Sequence, residues 1–195
     1  MNYELANASD AGQIANIHKE EIKKGFLSSL PMPFLTKIYA AIIESPAGFC
    51  VVAKENGVVV GLIAGTASVK QFYGFFLRKY FFYSVGVLFL RMARFSQLKK
   101  MVETLLYPVK ETTSPEAELL TMAVAKKIQG QGIAGNMLKE FTRQMESKNI
   151  REFKVLVGEE LAPAIRFYEK NGFVFLRNIS IHDNKKTRIY VYHIS

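Results

Sequence analysis

The feature that most constrains this chain is a glycine-rich turn, Gln129-Gly130-Gln131-Gly132-Ile133-Ala134-Gly135. An apolar, strand-like run at residues 119–124 precedes it, and apolar residues at a spacing of four predict a helix after it. Glycines at a helix start leave backbone N–H groups unshielded, and the positive end of the helix dipole points the same way. The turn therefore predicts a binding site for an anion, above all a pyrophosphate.

The length and composition are those of one globular domain, residues 1–195, with 49% hydrophobic and 22% charged residues. Cys50 is the only cysteine, so an intrachain disulfide and a four-cysteine zinc site are both excluded. The three histidines are too scattered to predict a metal site. The N-terminal residues lack the basic region and the apolar segment of a secretory signal. We therefore expect a cytoplasmic, metal-free protein.

Hydrophobic periodicity predicts an α/β (α+β) domain. Strand signals lie at about residues 3–6, 49–53, 58–64, 118–124, 153–157, 173–182 and 186–194. Helix signals follow Ser9 or Asp10, follow Pro31, and recur at residues 133–145 and 164–170. The order is β-α-α-β-β, an insert at about residues 70–112, and then β-α-β-α-β-β. This order predicts a mixed sheet flanked by helices.

The glycine turn allows three interpretations. Residues 130–135 match the G-x-G-x-x-G pattern of dinucleotide-binding folds. In those folds the first glycine follows its strand directly, whereas residues 125–129 intervene here and no second nucleotide-binding half remains. A helix start that binds no ligand is the second interpretation. A different phosphate-bearing ligand is the third interpretation, and the residues that flank the turn favour it.

Two motifs resemble those of the GNAT superfamily of acyl-CoA-dependent N-acetyltransferases. Gln129, Gly132 and Ala134 fill the places of its acyl-CoA-binding motif, which is Arg or Gln, two residues, Gly, one residue, then Gly or Ala. Residues 164–173, Ala-Ile-Arg-Phe-Tyr-Glu-Lys-Asn-Gly-Phe, are similar to the second signature of the superfamily. Leu161 departs from the pattern, because an asparagine that contacts the CoA arm often stands there. The resemblance covers the chain outside the insert and implies a mostly antiparallel central sheet.

The resemblance implies acetyl-CoA as co-substrate and direct transfer of its acetyl group, in a ternary complex, to a primary amine of a small molecule. It assigns cofactor binding to the strand end and the turn, namely Met122, Ala123, Val124, Gln129, Gly130, Gln131, Gly132, Ile133, Ala134 and Gly135. Backbone amides near residues 122–124 are then the expected oxyanion donors.

Glu118 and Tyr168 are the candidate catalytic residues. The position of Glu118 resembles that of a catalytic glutamate in several family members, and a solvated strand-end residue is the alternative. Tyr168 resembles the tyrosine whose hydroxyl protonates the leaving CoA thiolate, and an aromatic ring packed in the core is the alternative. We expect His18 to be exposed, with a substrate role as the alternative, and Cys50 to be a buried small hydrophobe.

The insert is basic and aromatic. Between Lys70 and Lys110 eight basic residues stand against one acid, so this segment carries +7 of the net charge of +9. The uncharged run at residues 80–90 is shorter than the roughly 20 residues that span a bilayer. We expect an amphipathic helical pair over the acceptor cleft or at a homodimer contact, with a membrane-surface patch at residues 70–110 as the alternative. The density of Phe and Val argues against a nucleic-acid partner.

The leading functional hypothesis is an acetyl-CoA-dependent N-acetyltransferase. A positive, aromatic wall beside the acetyl site favours an acidic or sugar-like acceptor and repels polyamines, so we expect an amino sugar. Two alternatives stay open: a non-catalytic acyl-CoA-binding or regulatory module, and an acyltransferase at a membrane surface that uses longer-chain donors.

Overall fold

The computed structural model describes residues 1–23, 26–90, 115–181 and 185–194. Its strands are β1 (Asn2–Leu5), β2 (Gly48–Glu55), β3 (Val58–Thr66), β4 (Glu118–Val124), β5 (Glu152–Gly158), β6 (Val174–Ile181) and β7 (Lys185–His193). Its helices are α1 (Ala11–Glu21), α2 (Phe26–Ser29), α3 (Met32–Glu44), α4 (Val69–Leu90), α5 (Ile133–Ser147) and α6 (Ala162–Lys170). This order agrees with the predicted one, apart from the short helix α2, which sequence reasoning missed.

The seven strands form one sheet in the order β1-β2-β3-β4-β5-β7-β6. Neighbouring strands are antiparallel except for β4 and β5, which are parallel. A tight hairpin joins β2 to β3, and Asn56 and Gly57 both take the positive φ values that such a turn needs. The predicted α/β fold with a mixed, mostly antiparallel central sheet is confirmed.

The parallel strands β4 and β5 are paired over only two positions. Glu118 lies opposite Lys154 and Leu119 lies opposite Val155. Beyond Leu119, β4 continues beside β3, whereas β5 continues beside β7. The two strands therefore diverge and bound a wedge in the middle of the sheet.

Helices cover both faces of the sheet. On the α5 face, a Cβ on Gly61 would lie 3.1 Å from the side chain of Met137, and one on Gly65 would collide with the ring of Phe141. On the opposite face, which we call the α1–α3 face, α1 contacts β3 and β4 while α3 contacts β2 and β3. Both helices bury their apolar stripes here, as the spacing of their apolar residues predicts.

The first part of the insert forms the long helix α4, which is kinked at Tyr80 (φ −115°, ψ 20°). Phe72 and Phe76 are buried, and the ring of Phe76 packs edge-on against Phe34 of α3 at 6.1 Å. The rest of the predicted insert, residues 91–112, lies outside the described residues. Within the described part of the chain, no helix is long and apolar enough to cross a membrane.

Candidate active site

The glycine turn has the backbone shape of an anion site. Gly130 (φ 81°) and Gly132 (φ 76°) take left-handed conformations, which side chains with a Cβ adopt only with strain. Helix α5 begins at Ile133. Its backbone hydrogen bonds to the turn begin with the N–H of Asn136, which donates to the carbonyl of Gly132 at 3.1 Å. The amides at the start of α5 precede the helical hydrogen-bond ladder and can donate to a ligand.

The surface beside the three glycines of the turn is open. A Cβ added at Gly130, Gly132 or Gly135 would meet no other atom within 4 Å. Gly135 has an ordinary helical backbone, so the protein itself gives no steric reason for a glycine there. The three predicted glycines therefore line an open surface at the positive end of a helix, as pyrophosphate binding requires.

The side chain of Gln129 fixes the turn to the strand before it. Its Nε2 donates to the carbonyl of Val124 at 2.8 Å, and Ala125 donates its N–H to the carbonyl of Val60 at the same distance. The motif glutamine thus links the two ends of the five-residue segment that separates β4 from the glycines. Gln131 is exposed, and Ala134 is half-buried in the first turn of α5.

The end of β4 offers main-chain groups to the wedge. Ala123 lies opposite Leu62 in an antiparallel ladder that continues to the bond from Ala125 to Val60. Because such a ladder alternates, Ala123 turns its N–H and C=O to β3, while Met122 and Val124 turn theirs toward β5. Of the three predicted strand residues, Met122 and Val124 thus present main-chain groups to the wedge.

A bulge in β4 places Glu118 and Thr121 on the same face of the sheet. Leu119 lies opposite Gly65 and Thr121 opposite Ala64, so Leu120 is the extra residue. Gly65 faces α5, and Leu119 shares its side of the sheet. Glu118 and Thr121 therefore both face the α1–α3 side, although strict alternation would separate them.

Glu118 is buried, with 6% of its surface exposed, so the alternative of a solvated strand-end residue is wrong. Helix α4 places Tyr73 nearby, and burial together with the charge of Glu118 raises the pKa of the Tyr73 phenol. Ser68, just before α4, donates its hydroxyl to Glu116 at 3.0 Å. The insert thus brings a phenol to the candidate base, a role that its aromatic composition alone did not reveal.

Tyr168 lies on α6 and is 5% exposed. Its ring packs edge-on against Phe173 at 5.0 Å, and burial raises the pKa of its phenol. Leu161, the departure from the family pattern, is the residue before α6 and is 42% exposed. The ring of Tyr168 is therefore a core side chain, which is compatible with a proton-donating hydroxyl at its tip.

His18 is buried at 2% exposure, so the expectation of an exposed histidine is wrong. Its Nδ1 lies 2.6 Å from the Tyr39 hydroxyl and its Nε2 lies 3.1 Å from the Ser28 hydroxyl. Burial, and secondarily the charge of Lys19, lower its pKa to about 4. His18 falls four residues after the fully buried Ile14, and this spacing was the sequence signal for its burial.

Cys50 is buried as predicted, and burial raises the pKa of its thiol. Among the residues that the structure describes, no three His, Cys, Asp or Glu side chains are grouped so that they could hold a metal ion.

Solved structures of acetyltransferases share this fold. A ribosomal-protein-alanine N-acetyltransferase from Brucella melitensis is 11% identical with a TM-score of 0.65, and the match covers 100% of both chains. A protein of Desulfovibrio desulfuricans described as a GNAT acetyltransferase is 14% identical with a TM-score of 0.64, covering 100% of this chain and 99% of that one. A Salmonella typhimurium protein solved with its cofactor acetyl-CoA is 12% identical with a TM-score of 0.62, covering 100% and 94%.

Sequence comparison identifies the family. No curated protein matches the chain. The model of the acetyltransferase (GNAT) family matches residues 19–173, which include both predicted motifs. Acetyl-CoA, the predicted co-substrate, is the donor that GNAT acetyltransferases use. The chain therefore belongs to the GNAT acetyltransferase family.

Proposed function

We propose that this protein transfers the acetyl group of acetyl-CoA to a primary amine of a small molecule, by direct attack in a ternary complex. The observation that carries this proposal is the wedge between β4 and β5, which leads from the buried Glu118 to the glycine turn. One ligand lying along β4 would reach both, with its reactive end near the middle of the sheet and its phosphates at the start of α5.

In this proposal the turn holds the pyrophosphate of CoA. The amides of residues 130–135 donate to phosphate oxygens, and the dipole of α5 favours their negative charge. Met122 and Val124 bind the pantetheine arm and the acetyl carbonyl through their main-chain groups. Ala123 keeps this segment paired to β3. The oxyanion that forms during attack is then stabilised by a backbone amide.

Glu118 acts as the general base. It removes a proton from the acceptor amine, directly or through a water, while the amine nitrogen forms a bond to the carbonyl carbon. The C–S bond then breaks, and Tyr168 donates its hydroxyl proton to the departing thiolate. The Tyr168 phenol carries its proton at neutral pH, as this step needs, although burial raises its pKa and so makes it a weaker acid than a free phenol.

Glu118→Gln and Tyr168→Phe test these roles in a CoA-release assay, with CoA affinity measured in parallel. We expect Glu118→Gln to lower kcat by roughly 10²-fold and Tyr168→Phe by less, because the thiol is a good leaving group. Both variants should bind CoA as the wild type does. If both variants retain wild-type turnover, the assignment of the two residues is wrong.

The acceptor that we propose is an amino sugar. The support is the basic character of the insert, from which α4 exposes Lys70, Arg78 and Lys79. Lys79 also bonds Glu44 of α3 at 2.7 Å, which fixes its position at the edge of the α1–α3 face. A CoA-release screen over amino sugars, polyamines and peptide amines tests this choice, and turnover confined to polyamines contradicts it.

A further inference from the structure

Among the residues that the structure describes, the part of β4 that follows Leu119 is paired with a neighbouring strand on one edge only. It pairs with β3 through Thr121, Met122, Ala123 and Val124, while β5 has already diverged. In the proposed function, this same segment positions the thioester. The accuracy with which this segment is positioned therefore depends on contacts made from the faces of the sheet.

A buried chain of polar side chains supplies such a contact on the α1–α3 face. The Tyr39 hydroxyl of α3 lies 2.6 Å from Nδ1 of His18 and also forms a side-chain hydrogen bond with Thr121 of β4. Nε2 of His18 lies 3.1 Å from the hydroxyl of Ser28 in α2. These hydrogen bonds thus connect α2, α1, α3 and β4 through four side chains.

One direction of donation satisfies all three bonds. Thr121 donates to Tyr39, Tyr39 donates to Nδ1 of His18, and the Nε2–H of a neutral His18 donates to Ser28. Lys19 holds the same corner by donating to the backbone carbonyl of Ser28 at 2.6 Å. His18 and Tyr39 are 2% and 1% exposed, so the bond between them is shielded from water.

This series of hydrogen-bonded side chains is suited to hold the elements that it connects in place, rather than to carry protons. Transfer of a proton along it would require an imidazolium at His18 or a phenolate at Tyr39. Burial disfavours both charged forms, since it lowers the pKa of His18 to about 4 and raises that of Tyr39. The stable state of these side chains is therefore neutral and mutually hydrogen-bonded.

We propose that His18 and Tyr39 are positioning residues, which hold β4 through Thr121 and so set the geometry of the thioester beside Glu118. This inference rests on the proposed function. The bulge at Leu120 makes it possible, because it turns Thr121 to the same face as Glu118 and toward Tyr39. Misplacement of this strand by a fraction of an ångström changes the distance between the amine and the acyl carbon.

Tyr39→Phe and Thr121→Val test the proposal, because each removes a hydroxyl and little volume. We expect each to lower kcat by about tenfold while CoA affinity stays near that of the wild type. The double variant should be no slower than the worse single variant, since both break the same link. Thr121→Ser keeps the hydroxyl and should restore most of kcat.

Tyr190→Phe is the matched control, because Tyr190 is also 1% exposed and its hydroxyl also bonds a side chain, Glu169, at 2.8 Å. It removes a tyrosine hydroxyl elsewhere in the fold and should keep wild-type kcat. Additive losses in the double variant, or equal losses in Tyr190→Phe, would overturn the proposal, as would wild-type kcat in Tyr39→Phe.

Hydrogen exchange distinguishes failure of this proposal from failure of the proposed function. We expect the amide of Ala123, which faces β3, and that of Ala125, which donates to the carbonyl of Val60, to exchange faster in Tyr39→Phe than in the wild type and in Tyr190→Phe, whether or not an acceptor is known. Unchanged exchange there overturns the proposal alone. Faster exchange with no acetyl transfer by the wild type supports the positioning role of Tyr39 and contradicts the function.

Discussion

At the residue scale, polar side chains are buried beneath the wedge, where apolar side chains would pack at a lower cost in desolvation free energy. Glu118, His18 and Tyr39 are 6%, 2% and 1% exposed. Burial of such groups costs free energy unless hydrogen bonds offset the cost. His18 and Tyr39 form such hydrogen bonds with each other and with neighbouring side chains. Their concentration on the face that Glu118 shares is what a catalytic face requires.

Stability should depend on pH through His18. Its folded-state pKa of about 4 lies below the ordinary histidine value of 6.5, so the unfolded chain binds a proton more readily between these values. The free energy of unfolding should therefore fall as the pH drops from about 6.5 to about 4, by at most about 3 kcal/mol. Urea titrations between pH 4 and pH 7 measure this loss.

His18→Gln should remove most of this pH dependence, while His193→Gln, an exposed histidine on β7, should retain it. A wild-type stability that stays constant between pH 4 and pH 7 contradicts the buried, neutral state of His18.

At the element scale, two segments give the site its shape: the start of α5 and the first half of α4. The glycine turn and the helix after it were predictable, because glycines and apolar spacing are local signals. The shared face of Glu118 and Thr121 was not, since alternation places Glu118 with Leu120 and Met122 until the bulge reverses the order. The burial of Tyr73 beside Glu118 also depends on packing that no local pattern encodes.

Gly135→Ala separates helix stability from ligand binding. The position is helical and open, so alanine should stabilise α5 by about 0.5–1 kcal/mol. Its methyl group would occupy the space proposed for the pyrophosphate and should weaken CoA binding roughly tenfold, about 1.4 kcal/mol. Thermal unfolding and calorimetric titration with CoA measure the two effects.

Gly12→Ala in α1 is the control, because its Cβ would also meet nothing within 4 Å and it lies in another helix. It should stabilise the fold and leave CoA binding unchanged. Tight CoA binding by Gly135→Ala would show that the phosphates lie elsewhere.

The first half of α4 should contribute to the core. Phe76 is 5% exposed and packs against Phe34 and Phe72, so Phe76→Ala should cost roughly 3–5 kcal/mol. Leu77→Ala, at a position 36% exposed, should cost less than about 1 kcal/mol. Equal unfolding midpoints for the two variants in urea would contradict the packing of α4 on α3.

At the scale of the whole molecule, the wedge depends on strand order and register. The sequence patterns predicted the strands, and the two motifs predicted the family and the position of the turn. The divergence of β4 and β5 was not predictable from the local pattern, because residues 153–157 have the pattern of one uninterrupted strand. The acceptor and the single-domain organisation stay predictions.

A crystal structure with bound acetyl-CoA tests the central claim most directly. We expect the pyrophosphate at the amides of residues 130–135, and the thioester carbonyl within hydrogen-bond distance of a main-chain N–H of Met122 or Val124. The acetyl carbon should face the side of the sheet that carries Glu118. CoA bound outside the wedge, or with its phosphates away from the glycine turn, would contradict the account.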